Sequence, residues 1–474
     1  MERKNAWIAH ASIQEERERF AAGYKAFLDR GKTERECVRE ALRMAGERGF
    51  RPLAEWTAND RKLCPGDRVS CAWMNKSLVL YIVGRRPMEE GMNILGAHID
   101  SPRLDVKQNP LYEDHGLAYL DTHYYGGIKK YQWLALPLAL HGVVAKKDGA
   151  RIDVAIGEEE ADPVFCITDL LPHLAREQME KNAAKFVEGE ALNLLIGSQP
   201  DGKEETEGKE EKEEKDPVAA RIRGILSKKY AIDEEDFLSA ELEIVPAGRA
   251  RDMGLDKSMI LGYGHDDRSC AYPSLAAMLD FDGAPEYTLC CILTDKEEIG
   301  SVGATGMGSR YFENLTAELL SASGEYREIS LRRTLANSRM LSSDVSAAYD
   351  PGFASAFEAK NSAYLGRGIC FNKYTGSRGK AGSNDANAEF VAEIRRIMDE
   401  ADVCFQMAEL GRVDQGGGGT IAYLCAKYGM NVIDCGIPVL SMHAPWEVVS
   451  KADLYEGYRC YCAFLRGARR MADQ

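Results

Sequence analysis

Tyr287-Thr288-Leu289-Cys290-Cys291-Ile292-Leu293 runs without a spacer into Thr294-Asp295-Lys296-Glu297-Glu298-Ile299-Gly300. The first half is a mostly apolar run of the length of a buried strand. The second half sets two neighbouring carboxylates at the strand's end, one free to bind a metal and one to act as a base; a solvated loop would read the same way. Residues 77–83 (SLVLYIV) and 92–99 (MNILGAHI) are runs of the same kind. Further strand-like stretches at 421–427, 432–433 and 439–442 alternate with helical ones. Such alternation predicts an α/β fold with a mainly parallel sheet flanked by helices.

Outward from this core the texture changes. Residues 12–50 carry Phe20, Tyr24, Phe27, Leu28, Val38, Leu42 and Met44 at helical spacing among Arg and Glu, which predicts two surface helices. From about residue 106, Tyr, His and Gly accumulate and strand-like runs follow to Ile156, with a helix expected over 167–184. The economical arrangement is one domain built from residues 1–105 and 246–474, interrupted by a β-rich domain over 106–245. Within the insert, residues 197–217 are of low complexity and read as a charged, flexible loop.

Composition narrows the function. The net charge is −15, and the densest charge run, residues 203–215, holds seven Glu against four Lys. A nucleic-acid binder would cluster Lys and Arg to neutralise phosphates. No apolar stretch reaches the ~18 residues of a membrane span. The thirteen cysteines have no regular spacing, so reduced thiols in a cytoplasm are expected.

Three other segments end apolar runs on potential ligands, His98-Ile99-Asp100, Ser342-Ser343-Asp344 and Ser441-Met442-His443, and a fourth, His265-Asp266-Asp267-Arg268, follows a Gly-rich turn and precedes a helical run. Each alone fits a capping acid or a packed histidine. Together with Glu297 and Glu298 they supply two strand-ending imidazoles, His98 and His443, and several carboxylates, the ligand chemistry of a two-metal site.

AHIDSP (97–102), HDDR (265–268), DKEEIGS (295–301), SSD (342–344) and SMH (441–443), in this order, resemble the aspartyl aminopeptidase (aminopeptidase I) family of zinc metallopeptidases, in a bacterial-type member. The resemblance implies two Zn²⁺ per subunit, with Co²⁺ or Mn²⁺ as substitutes. His98 and Asp344 would hold one ion, Glu298 and His443 the other, and Asp266 would bridge them. Asp100 would orient His98, and Glu297 would be the general base for the bridging water. Lys373, Lys380, Gly418 and Gly419 would meet the substrate, and His173 would reach the substrate in a neighbouring subunit's active site. Lys380 stands where the aspartyl enzymes carry tyrosine, which argues against a strict preference for acidic residues.

The activity so implied is release of the N-terminal residue from peptides. The resemblance also implies dimerisation through the insert and a tetrahedral dodecamer built from dimers. Another two-metal amide hydrolase, a deacylase or carboxypeptidase, would use the same ligands. An inactive scaffold would lack a ligand or the base.

Overall fold

The 287–293 run forms the strand Thr288–Thr294, fourth in a nine-stranded sheet and next to its central strand. A computed structural model describes residues 3–58, 61–201, 215–376 and 379–469. The strand order is Arg51–Pro52, Arg68–Trp73, Ser77–Ile82, Thr288–Thr294, Met92–His98, Arg339–Ser342, Asn431–Gly436, Ile369–Asn372 and Phe405–Met407. Five of the eight neighbouring pairs are parallel and three antiparallel, so the sheet is mixed. Ser77–Ile82 and Met92–His98 are buried along their whole length, which is why they read as continuous apolar runs.

Helices cover this sheet. Gln14–Arg30 and Glu34–Glu47 occupy the predicted N-terminal stretch. The second starts in a capping box, in which Thr33 and Glu36 satisfy each other's backbone N–H groups. Both are more than surface helices, because Tyr24, Phe27, Leu28, Val38 and Ala41 are buried in the core with Leu275, Met278 and Leu293. A second apolar cluster contains Ile94, Ile292, Tyr311, Phe312 and Met340. Five short strands, Arg251–Met253, Met259–Gly262, Glu447–Ser450, Pro438–Leu440 and Ser346–Ala347, make a further sheet.

The chain divides into two compact units. One comprises residues 1–101, 250–442 and 446–474, the other residues 102–249 and 443–445. The second unit is a six-stranded antiparallel sheet ordered Arg151–Ile156, Leu138–Ala145, Ala240–Pro246, Arg103–Asp114, Leu117–Tyr125 and Leu194–Gly197, with the helix Pro217–Tyr230.

Two expectations fail locally. Residues 167–184 hold only the four-residue helix Arg176–Met179 and the 3₁₀ turn Ala183–Lys185. Leu170, Leu171, Leu174 and Met179 are exposed there, so the helical spacing has no apolar surface to pack against. The 421–427 run is the helix Ala422–Ala426 rather than a strand; Ile421, Ala422 and Cys425 are buried, and a short apolar run has the same composition in either state. Of the low-complexity stretch 197–217, residues 202–214 lie outside the described residues.

Asp434, buried in the Asn431–Gly436 strand, accepts a hydrogen bond from Thr420 Oγ1 at 2.5 Å. Burial pushes its carboxyl from the ordinary 3.8 up to about 7, with the Thr420 hydroxyl acting against that. Between those values the folded chain keeps a proton that the unfolded chain has released, so this group's contribution to stability falls as pH rises. Asp434→Asn keeps the volume and the acceptor without the charge. It is expected to stabilise the protein by about 1–3 kcal/mol at pH 8 and to have little effect near pH 4. Thermal melts at both pH values check this; equal melting temperatures at pH 8 would show that the charge is already compensated.

Candidate active site

Three neighbouring parallel strands stop side by side. Met92–His98 lies between Thr288–Thr294 and Arg339–Ser342, with His98 opposite Thr294 and Gly96 opposite Ser342. The Ser343 N–H donates to the Gly96 carbonyl at 2.5 Å, continuing the ladder past the strand. His98, the 295–298 turn and Asp344 therefore leave the sheet at one edge, the carboxyl end where ligands of α/β folds gather.

The helix His265–Leu279 brings the fourth segment. Its entry is at Gly264, with φ +76°. A Cβ there would lie 2.2 Å from Arg268 Nη1 and 2.9 Å from Ser101 Oγ, so the turn requires glycine.

The side chains converge. His98 Nδ1 lies 3.0 Å from the Asp100 carbonyl and 3.3 Å from Asp100 Oδ1. Its Nε2 lies 3.1 Å from Asp266 Oδ1 and 4.0 Å from Glu297 Oε2. Donation from Nδ1 to a carbonyl leaves Nε2 as the nitrogen available to a metal. The Asp100 carboxylate accepts the N–H groups of Glu297 at 3.1 Å and Glu298 at 3.2 Å, tying the acidic turn to the neighbouring strand. Three sets of residues each bring ligand atoms within 4.8 Å of one another: His98 with Asp266 and Glu298, His98 with Glu297 and Asp344, and Asp266 with Asp267 and Asp344.

This concentration of acid is costly without a cation. Burial pushes the Asp344 carboxyl well above its ordinary value, as do Glu297, Asp267 and Asp266, against the pull of His98. Burial also lifts Asp267 to about 8, with Asp266 adding to it and His98 opposing. At His98 burial disfavours the imidazolium, yet hydrogen bonds to Asp100 and Asp266 outweigh it and hold the ring well above its usual range. Six carboxyls around one imidazole, three of them almost fully buried, favour retained protons or a bound cation over a full set of bare charges. Imidazole plus carboxylate is a donor set that fits zinc.

The sequence model of the aminopeptidase I zinc metalloprotease (M18) family matches residues 27–465. The chain belongs to this family. A probable M18 family aminopeptidase 1 of Clostridium acetobutylicum is 57% identical over 468 residues, 98% of each chain. The crystal structure of aminopeptidase I from the same organism superposes with a TM-score of 0.89 at 54% identity, covering 98% of this chain and 99% of that one. An M18 aminopeptidase structure from Thermotoga maritima gives a TM-score of 0.91 at 43% identity, covering 99% and 100%. The protein is thus a zinc metallopeptidase, an M18 aminopeptidase of the bacterial type.

The remaining expected site residues of this M18 aminopeptidase are placed as follows. His443 is half-buried, and its Nδ1 donates to the Gly127 carbonyl at 2.9 Å. His173 is exposed in a turn of the unit formed by residues 102–249 and 443–445. Lys373 and Lys380 share one carboxylate, with Nζ 3.8 Å and 3.1 Å from the two oxygens of Asp385. The Lys380 ammonium also sits 3.8 Å from the centre of the Tyr374 ring. Gly418 N–H donates to the Thr375 carbonyl at 2.9 Å, and two residues separate Gly419 from the helix Ala422–Ala426.

Sequence reasoning gave no role to three buried residues at this site. Asp267 accepts the His98 N–H at 3.3 Å and joins Asp266 and Asp344 as a donor. Its signal was in the paired acids of HDDR. Ser101 and Glu447 bond the backbone of Asp266. Ser101 stood in the AHIDSP string without chemistry of its own, and nothing local marks Glu447.

Proposed function

We propose that the protein releases one N-terminal residue at a time from peptides with two metal ions per subunit. The grouping of His98, Glu297, Glu298 and Asp344, which end or follow three adjacent strands, with Asp266 from the first turn of the His265–Leu279 helix carries this reading. His98 and Asp344 would hold one ion, Glu298 and His443 the other, with Asp266 shared. His443 supports its assignment by the same feature as His98, an Nδ1 engaged by a backbone carbonyl, which is how metal-binding imidazoles are oriented.

Bound zinc supplies a polarised substrate carbonyl and a water whose pKa falls towards ~7. Asp100 fixes the His98 ring and the backbone of the acidic turn. Glu297, half-buried, takes the proton from the attacking water and delivers it to the leaving amine. The acidic surroundings hold the substrate's free ammonium group, which restricts cleavage to the first residue. Lys373, Lys380, Gly418 and Gly419 face the substrate in this reading, and His173 reaches the substrate of a neighbouring subunit. Because Asp385 offsets both lysines, a strict preference for acidic N-terminal residues is not expected.

Residues 106–245 would carry dimer contacts, and dimers would assemble into a tetrahedral dodecamer. The S. cerevisiae mApe1 dodecamer shares the fold, with a TM-score of 0.74 at 19% identity. No described helix is long and apolar enough to cross a membrane, and all thirteen cysteines are free thiols, as a cytoplasmic enzyme would have them.

Titrating zinc into metal-stripped protein tests the reading. Activity on peptides with a free amine should rise to a plateau at two equivalents per chain, and N-acetylated peptides should stay intact. A plateau at one equivalent would exclude the shared Asp266 arrangement, and cleavage of the acetylated peptides would indicate a deacylase.

A further inference from the structure

Asp266 occupies the first turn of the His265–Leu279 helix but has φ −81° and ψ 106°, outside the helical range. Its backbone C=O is therefore turned away from the helix ladder, and its N–H, in the first turn, has no acceptor within the helix. At 3% exposure they cannot rely on water, so other groups must satisfy them.

Two side chains from distant parts of the sequence do so. Glu447 Oε2 accepts the Asp266 N–H at 3.1 Å, and Ser101 Oγ donates to the Asp266 carbonyl at 2.8 Å. Both are buried, at 2% and 1% exposure.

The preceding residue is fixed too. His265 Nε2 lies 3.1 Å from the Ile260 carbonyl, and His265 Nδ1 lies 2.6 Å from the Tyr24 hydroxyl. A carbonyl can only accept, so Nε2 carries the hydrogen and Nδ1 accepts from Tyr24. The tautomer and orientation of the ring follow from these two contacts.

We propose that Ser101, Glu447 and Tyr24 are positioning residues that set the Asp266 carboxylate for metal binding, Tyr24 acting through the His265 ring. The inference rests on Asp266 being a metal ligand. A ligand whose backbone is held at both its N–H and its carbonyl has little freedom left to lose when it binds. Ser101 also follows Asp100, which holds His98 and the N–H groups of Glu297 and Glu298. Residues 100 and 101 thus tie His98, the Glu297–Glu298 turn and Asp266 to a single strand end, and Glu447 holds Asp266 from the Glu447–Ser450 strand.

The test uses full-length Ser101→Ala, Tyr24→Phe, Glu447→Ala and Glu447→Gln, measuring cobalt affinity by chelator competition and the visible spectrum of the cobalt form. Ser101→Ala and Glu447→Ala should weaken metal binding about 10–100-fold, the usual cost of losing an outer hydrogen bond to a ligand. The cobalt spectrum should change, and kcat should fall while KM holds. Glu447→Gln keeps an acceptor oxygen and should restore most of the affinity. Tyr24→Phe keeps the ring packing and should show the same defect as Ser101→Ala in smaller measure.

Parental affinity and spectrum in folded Ser101→Ala and Tyr24→Phe would overturn the proposal, and these two decide it if Glu447→Ala does not fold. Asp266→Ala separates the two readings. Undiminished metal binding in that variant defeats the ligand assignment itself. Lost binding there, with none lost in Ser101→Ala and Tyr24→Phe, defeats only the positioning role.

Discussion

Glu297→Gln is expected to retain its metals and to lose about 10²–10⁴ in turnover, the range that a positioned proton-transfer group supplies. The substitution is nearly isosteric and leaves the backbone N–H of residue 297 on Asp100, so the turn stays in place. What changes is basicity. Glu297 also has a geometric claim to another role, because its carboxylate groups with His98 and Asp344 as a set of metal donors. The two roles separate when kcat on an aminoacyl p-nitroanilide and metal content are measured on the same preparation. Full metal content with little turnover identifies a base; loss of metal together with turnover identifies a ligand. Activity above about a tenth of the parent's would move the base elsewhere.

The strands were legible because burial on both faces leaves an unmistakable mark: every position of Ser77–Ile82, Met92–His98 and Thr288–Thr294 is buried, so no polar alternation interrupts the runs. Their order was not legible. Met92–His98 neighbours Thr288–Thr294 and Arg339–Ser342, strands that follow it by roughly two hundred residues, and no local pattern encodes such a pairing. The same limit governs the site. His98, the 295–298 acids and Asp344 could each be recognised as an apolar run ending on a ligand, but their meeting is a matter of register.

Residues that act through backbone bonds left a weaker trace still. Glu447 reads as an ordinary acid in a strand, and its purpose is visible only once Asp266 departs from helical geometry and needs an acceptor. At 167–184, helical spacing was present without a surface to receive it, so local pattern and tertiary packing disagreed and packing prevailed.

Chelation is expected to abolish hydrolysis altogether and to lower thermal stability. The second effect follows from the charges at the site. Asp100, Asp266, Asp267 and His98 are almost fully buried, while Glu297, Glu298 and Asp344 are partly exposed, leaving one imidazole among six carboxyls. Removing cations from such a group restores repulsion that the fold alone must bear. An ion that binds only the folded chain adds about 4 kcal/mol when present at a thousandfold excess over its Kd. Protein stripped with phenanthroline should therefore melt earlier and regain stability in step with added zinc. Zinc, cobalt or manganese should each restore activity, to different degrees. The affinity should also fall with decreasing pH, because carboxylate and imidazole donors must shed protons to ligate. His98→Ala and Asp344→Ala serve as internal controls: each removes a donor from the set that includes Glu297, so zinc should stabilise them less than the parent chain. Activity and melting temperature that ignored the chelator would remove the metal from both catalysis and folding. Loss of activity with an unchanged melt would mean that the acid cluster is compensated within the protein, leaving the metal a catalytic role alone.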